Sequence, residues 1–157
     1  MTVSFLCIIT SLSTAMAYPM FYAKTPYAYY TSNGTYQGGD IDSFKWKDGD
    51  VIHWTWGFKL DVTTWFETAQ SFPTVRLTIT YKYQRYSSSN SLQLWVYYSG
   101  GGYDAINFLA PTDSYLTRSF YLPAYKLVYK ILICVGGVSS GHVWIDQLLV
   151  AYENFPL

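Results

Sequence analysis

Two stretches of strict two-residue alternation decide what this chain can become. In Val51–Leu60, apolar Ile52, Trp54, Trp56, Phe58 and Leu60 alternate with His53, Thr55, Gly57 and Lys59. In Thr74–Gln84, Val75, Leu77, Ile79, Tyr81 and Tyr83 alternate with Arg76, Thr78, Thr80 and Lys82. Side chains of a strand point to opposite faces in turn, so this pattern makes one face dry and the other wet. It places Trp54, Trp56 and Phe58 inward, with Leu77, Ile79, Ile131, Ile133, Ile145 and Leu149 facing them.

Further strands are expected at Asp42–Lys47, Thr63–Ala69, Ser91–Ser99, Tyr115–Leu122, Lys126–Val135 and Val143–Tyr152. Turn chemistry separates them: Asp48-Gly49, Ser71–Pro73, Ser87–Asn90, Gly100–Gly102, Pro111–Asp113 and Gly136–Gly141. Asp48-Gly49 reads as a tight hairpin between aromatic strands. No segment carries a capped 3.6-residue period. About eight strands joined by short turns give an all-β, two-sheet sandwich of jelly-roll type. At 157 residues the chain is sized for one domain.

The residues before that domain divide into two parts. Residues 1–17 hold the apolar run Phe5–Ile9 and end in Ala15-Met16-Ala17, the small-x-small pattern of a signal-peptidase site. They predict secretion with Tyr18 as the mature N-terminus, although Met1–Ser4 lacks a basic residue. An uncleaved apolar arm is the alternative, and the run is too short to span a membrane. Residues 18–39 contain Pro19, Pro26 and Tyr22, Tyr27, Tyr29 and Tyr30 without a periodic face. They read as an extended arm preceding the sandwich at 40–157, able to dock on a second copy by strand addition. Asn33-Gly34-Thr35 within it is a glycosylation sequon at Asn33.

Charge narrows the partners. Ten Lys and Arg balance ten Asp and Glu, so the basic footprint of a nucleic-acid binder is missing. Disulfides are not indicated: Cys7 lies in the leader and Cys134 in the apolar run Leu132–Val135. Catalysis is not indicated either. His53 and His142 lie in no metal-spaced motif, and no nucleophile–base signature occurs. Gly100-Gly101-Gly102 is a hairpin loop, not a phosphate cradle.

The aromatic residues carry more information. With Leu92, Leu94, Val96 and Tyr98 inward, Trp95 and Tyr97 share the other face with Gln93. Rings beside an amide suit a protein interface, a covered core position or a platform for a sugar ring. Seventeen tyrosines, zero net charge and the arm favour an extracellular structural subunit that assembles with its own copies into a filament, surface fibre or virion component.

The run Lys126–Gly137, a short turn, and Gly141-His-Val-Trp-Ile-Asp-Gln-Leu-Leu-Val-Ala-Tyr resembles the closing strand pair of galactose-binding-like carbohydrate-binding modules. The resemblance implies a jelly roll and, as the second functional reading, polysaccharide recognition by aromatic stacking. It also implies a structural calcium on the closing-strand Asp146 together with Asp40 and Asp42. The competing expectation is that Asp146 bonds to backbone while Asp40 and Asp42 are solvated.

Overall fold

The computed structural model describes residues 20–67, 69, 71–85, 91–109, 111–135 and 140–154. They contain β1 (Met20–Lys24), β2 (Ala28–Asn33), β3 (Thr35–Gly38), a 3₁₀ turn (Ile41–Phe44), β4 (Ile52–Trp56), β5 (Leu60–Trp65), β6 (Thr74–Arg85), β7 (Leu92–Tyr98), β8 (Tyr103–Leu109), β9 (Leu116–Leu122), β10 (Val128–Val135) and β11 (Gly141–Asn154). One sheet has the order β3-β4-β11-β6-β9, with β1 added to the C-terminal half of β11. The other has the order β2-β5-β10-β7-β8. Every strand pair is antiparallel, and the chain crosses repeatedly from sheet to sheet, as in a jelly roll.

The alternation does what its spacing requires. Trp54, Leu77, Ile79, Leu94, Ile131, Ile133 and Ile145 are fully buried between the sheets. The indole Nε1 of Trp54 donates across the core to Thr31 Oγ1 on β2 at 2.9 Å. The Val128 backbone N–H on β10 donates to the Tyr152 hydroxyl on β11 at 3.0 Å. These bonds satisfy polar atoms that burial would otherwise penalise, and they join one sheet to the other.

Five sequence expectations are corrected. The stretch read as an arm is part of the domain. β1 pairs with β11, β2 with β5 and β3 with β4, so its backbone groups are satisfied within the chain. Tyr29 packs against Phe44 and Trp54, and Tyr22 against Phe72. The prolines sit outside these strands: Pro26 falls between β1 and β2, while Pro19 precedes the described residues.

Second, Ile41–Phe44 is a 3₁₀ turn and not the start of a strand. The Asp40 carboxylate accepts from the Asp42 and Ser43 N–H groups while Ser43 Oγ accepts from the Asp40 N–H. This reciprocal cap diverts backbone donors from a ladder. Asp48-Gly49 consequently follows a turn, and is not a hairpin between two strands.

Third, Val51–Leu60 breaks at Gly57-Phe58-Lys59, where the chain passes from one sheet to the other. Phe58 is 64% exposed there, while Trp54 and Trp56 point inward. Fourth, a bulge in β11 between Ile145 and Gln147 buries Asp146 beside Ile145 and shifts the inward set to Leu148 and Val150. Leu149 therefore turns to the outer face, since one extra residue reverses every later side chain. Fifth, Tyr103–Leu109 is a strand beyond those the alternation predicts. It closes the hairpin turn at Gly101 and Gly102, whose φ values of +88° and +83° suit glycine.

Candidate functional site

The outer face of the β2-β5-β10-β7-β8 sheet gathers rings that the core does not use. Along β7, Leu92, Leu94, Val96 and Tyr98 are buried while Gln93, Trp95 and Tyr97 are half-buried on the opposite side. Cross-strand register then builds the surface. Tyr97 stands opposite Lys130 on β10 and Tyr103 on β8, and Lys130 stands opposite Trp65 on β5. Trp65, Lys130, Tyr97 and Tyr103 thus form one row across four strands, about 14 Å long at the usual strand spacing. The adjoining row runs Tyr30, Thr63, Leu132, Trp95, Ala105.

A second irregularity supplies the charge. The β7–β10 register shifts between Val128 and Lys130, so Tyr129 and Lys130 are both half-buried while Val128 and Ile131 are buried. Lys130 Nζ lies 3.9 Å from the Tyr97 ring centre and 5.7 Å from that of Tyr129. Cation–π contact of this kind holds an ammonium over apolar surface while leaving it able to donate.

The rings are preorganised. Tyr103 stacks on Trp95 at 5.1 Å with planes 8° apart, and contacts Tyr97 at 5.6 Å. Trp95 Nε1 donates to Gln93 Oε1 at 3.1 Å, and the same oxygen receives the Cys134 thiol at 3.8 Å. Burial first, then neighbouring Tyr103, pushes the Tyr97 hydroxyl above its ordinary pKa, so it stays a neutral donor. A hollow of about 290 Å³ opens between Lys59, Asp61, Gln93, Trp95, Tyr97, Leu132 and Cys134. Another of about 480 Å³ lies at the Trp65 end, against Tyr27, Phe66, Glu67 and Tyr129. Lys59 and Asp61 pair at 2.5 Å on the first rim, and Lys24 and Glu67 pair at 3.0 Å on the second.

Gln93, Trp95 and Tyr97 therefore fall together, as their spacing on one strand requires. Trp65, Tyr103 and Lys130 complete the site and were not singled out from sequence. For Trp65 the signal was present, because Leu60, Val62 and Thr64 alternate with Thr63 and Trp65. For Lys130 it was not, because its direction depends on the bulge.

The carboxylates expected to share calcium are otherwise engaged. Asp40 caps the 3₁₀ turn, Asp42 pairs with Lys45 at 2.5 Å, and buried Asp146 accepts from the Gly49 N–H at 3.0 Å. Among the described residues no three His, Cys, Asp or Glu side chains come together to hold a metal. These residues do not fit the calcium set implied by the resemblance. Asn33 ends β2, and its Nδ2, the nitrogen a glycan would modify, donates to Asp61 Oδ2 at 2.7 Å. The former arm residues Tyr27 and Tyr30 are 59% and 62% exposed, Tyr30 lying on the aromatic face. Residues 1–17 with Ala15-Met16-Ala17 lie outside the described residues. No helix among the described residues is long and apolar enough to cross a membrane.

No family model and no curated protein matches this sequence. Solved structures do match its fold. A family 29 carbohydrate-binding module superposes with a TM-score of 0.58 at 12% identity, covering 87% of this chain and 89% of its own. A variant of such a module complexed with cellulohexaose superposes at 0.53, with 14% identity over 86% and 91%. A family 61 module in complex with β-1,4-galactotriose superposes at 0.51, with 11% identity over 80% and 89%. The fold is thus the β-sandwich jelly roll of carbohydrate-binding modules, in agreement with the closing-strand resemblance.

Proposed function

We propose that this protein is a polysaccharide-binding module whose ligand lies across the outer face of the β2-β5-β10-β7-β8 sheet. The observation that carries the reading is the cross-strand row Trp65, Lys130, Tyr97, Tyr103 with Trp95 stacked beside it. Sugar rings present C–H faces to aromatic surfaces and hydroxyls to polar rims. Here the rings supply the first contact. Lys130 and the Nε2 hydrogens of Gln93, whose Oε1 already accepts two donors, supply the second. A row spanning four strands, with one hollow at its Trp65 end and another alongside it, suits an extended chain better than a single sugar.

The reading assigns no bond-making or bond-breaking step. Binding by stacking and hydrogen bonding requires only a rigid face, which the sheet register provides. Secretion through residues 1–17, expected from sequence, would bring the module to such a ligand. Folding of residues 20–38 into both sheets removes the donated arm that favoured assembly into filaments.

Affinity electrophoresis tests the reading. The protein should be retarded in gels containing at least one of soluble mannan, galactan or β-glucan relative to a gel without polysaccharide. Unchanged mobility in all of them would overturn it.

A further inference from the structure

The opposite face of the molecule carries a second organised cluster that sugar binding does not use. His53 on β4 and His142 on β11 bring Nε2 and Nδ1 to 3.1 Å of one another. Their strands are locked in register, with Trp144 opposite His53 and His142 opposite Thr55. Trp144 stacks on both imidazoles, at 4.6 Å and 11° from His53 and at 5.2 Å and 10° from His142. Lys82, on the neighbouring β6, lies 5.1 Å from the indole centre.

We propose that His53 and His142 form a two-imidazole site for a divalent transition-metal cation, copper(II) or zinc(II). Two nitrogen ligands about 2.0–2.1 Å from one metal, at square to tetrahedral angles, stand about 2.8–3.4 Å apart. The observed separation falls in that span. In the metal-free pair one imidazole donates its N–H to the other; on binding, that ring carries its proton on its second nitrogen instead, and each ring swings to aim a lone pair at the metal.

Imidazole is a ligand of choice for copper and zinc, and it binds only when neutral. Among the described residues no third His, Cys, Asp or Glu joins the pair, so water completes the coordination. Two imidazole nitrogens, in place of the oxygen ligands that calcium and magnesium require, favour copper or zinc.

Titration calorimetry of the full chain with zinc chloride at neutral pH is the test, paired with copper(II) quenching of tryptophan fluorescence. One equivalent should bind, and His53→Gln or His142→Gln should weaken binding by about tenfold or more. Both variants alter an outer face, so unchanged thermal melts will show that they fold. Trp144→Phe should retain zinc binding while losing much of the copper-induced quenching, because Trp144 stacks on both imidazoles whereas Trp54 and Trp56 of β4 point into the core. No binding to the wild type, or stoichiometric binding unaffected by both histidine variants, would overturn the site.

Discussion

The Lys130 ammonium stands 3.9 Å above the Tyr97 ring, on the strand beside it and in the middle of the aromatic face. The pairing depends on the β10 bulge, which directs Tyr129 and Lys130 outward together. A bulge that re-aims a side chain at a site is a recurrent use of that irregularity.

Replacing that ammonium should affect binding and spare the fold. Lys130→Met keeps the apolar stem over Tyr97 but removes the donor. Polysaccharide affinity should fall by about tenfold, the worth of a charge-assisted hydrogen bond of about 1.5 kcal/mol. Stability should change by no more than about 0.5 kcal/mol. Calorimetric titration beside a denaturant melt checks both.

Trp54 and Phe58 should respond in opposite ways to truncation. Trp54 is fully buried and bonded across the sandwich to Thr31. Trp54→Ala should cost about 3–5 kcal/mol, as for other large core truncations. Phe58 lies exposed in the link between β4 and β5, so Phe58→Ala should stay within about 0.5 kcal/mol of wild type. Urea unfolding of the two variants compares them directly.

That contrast shows how far local pattern reaches. Alternation placed Trp54, Trp56, Leu77, Ile79, Ile131, Ile133 and Ile145 correctly, because period two is a property of the strand itself. It failed at Phe58 because leaving one sheet for the other is decided by the partner strands. It failed at Leu149 because a bulge costs one residue of phase without a mark in composition. Residues 20–38 depart from the local pattern for a related reason. Their strands lie at or beside sheet edges, so the spacing of their tyrosines shows no single dry face. In the site, Gln93, Trp95 and Tyr97 were legible from one strand, whereas Tyr103 and Lys130 needed the register of three.

Cys134 gives a prediction that pH can check. Burial, with Asp61 adding to it, pushes the thiol from an ordinary 9.0 up to about 11. The folded state therefore keeps a proton that the unfolded chain has released above about pH 9, so ν for the unfolded state is the smaller. This contribution to stability is fully present below pH 9 and fades as pH rises toward about 11. Iodoacetamide at pH 8 should leave Cys134 unmodified in the folded protein and alkylate it in urea. Peptide mass mapping reads the difference, and rapid labelling of the native protein would show that the thiol is accessible and ionised.

The outer-face assignment is tested most directly by calorimetric titration of a retained soluble polysaccharide into Trp95→Ala and, in parallel, into Trp144→Ala. Trp95 belongs to the aromatic row system of the β7 face, and Trp144 to the opposite sheet. Loss of a ring that anchors a ligand costs about 2 kcal/mol, so Trp95→Ala should bind about thirtyfold more weakly. Trp144→Ala should bind as the wild type does. Wild-type affinity in a folded Trp95→Ala variant, or loss of binding in Trp144→Ala alone, would contradict the assignment.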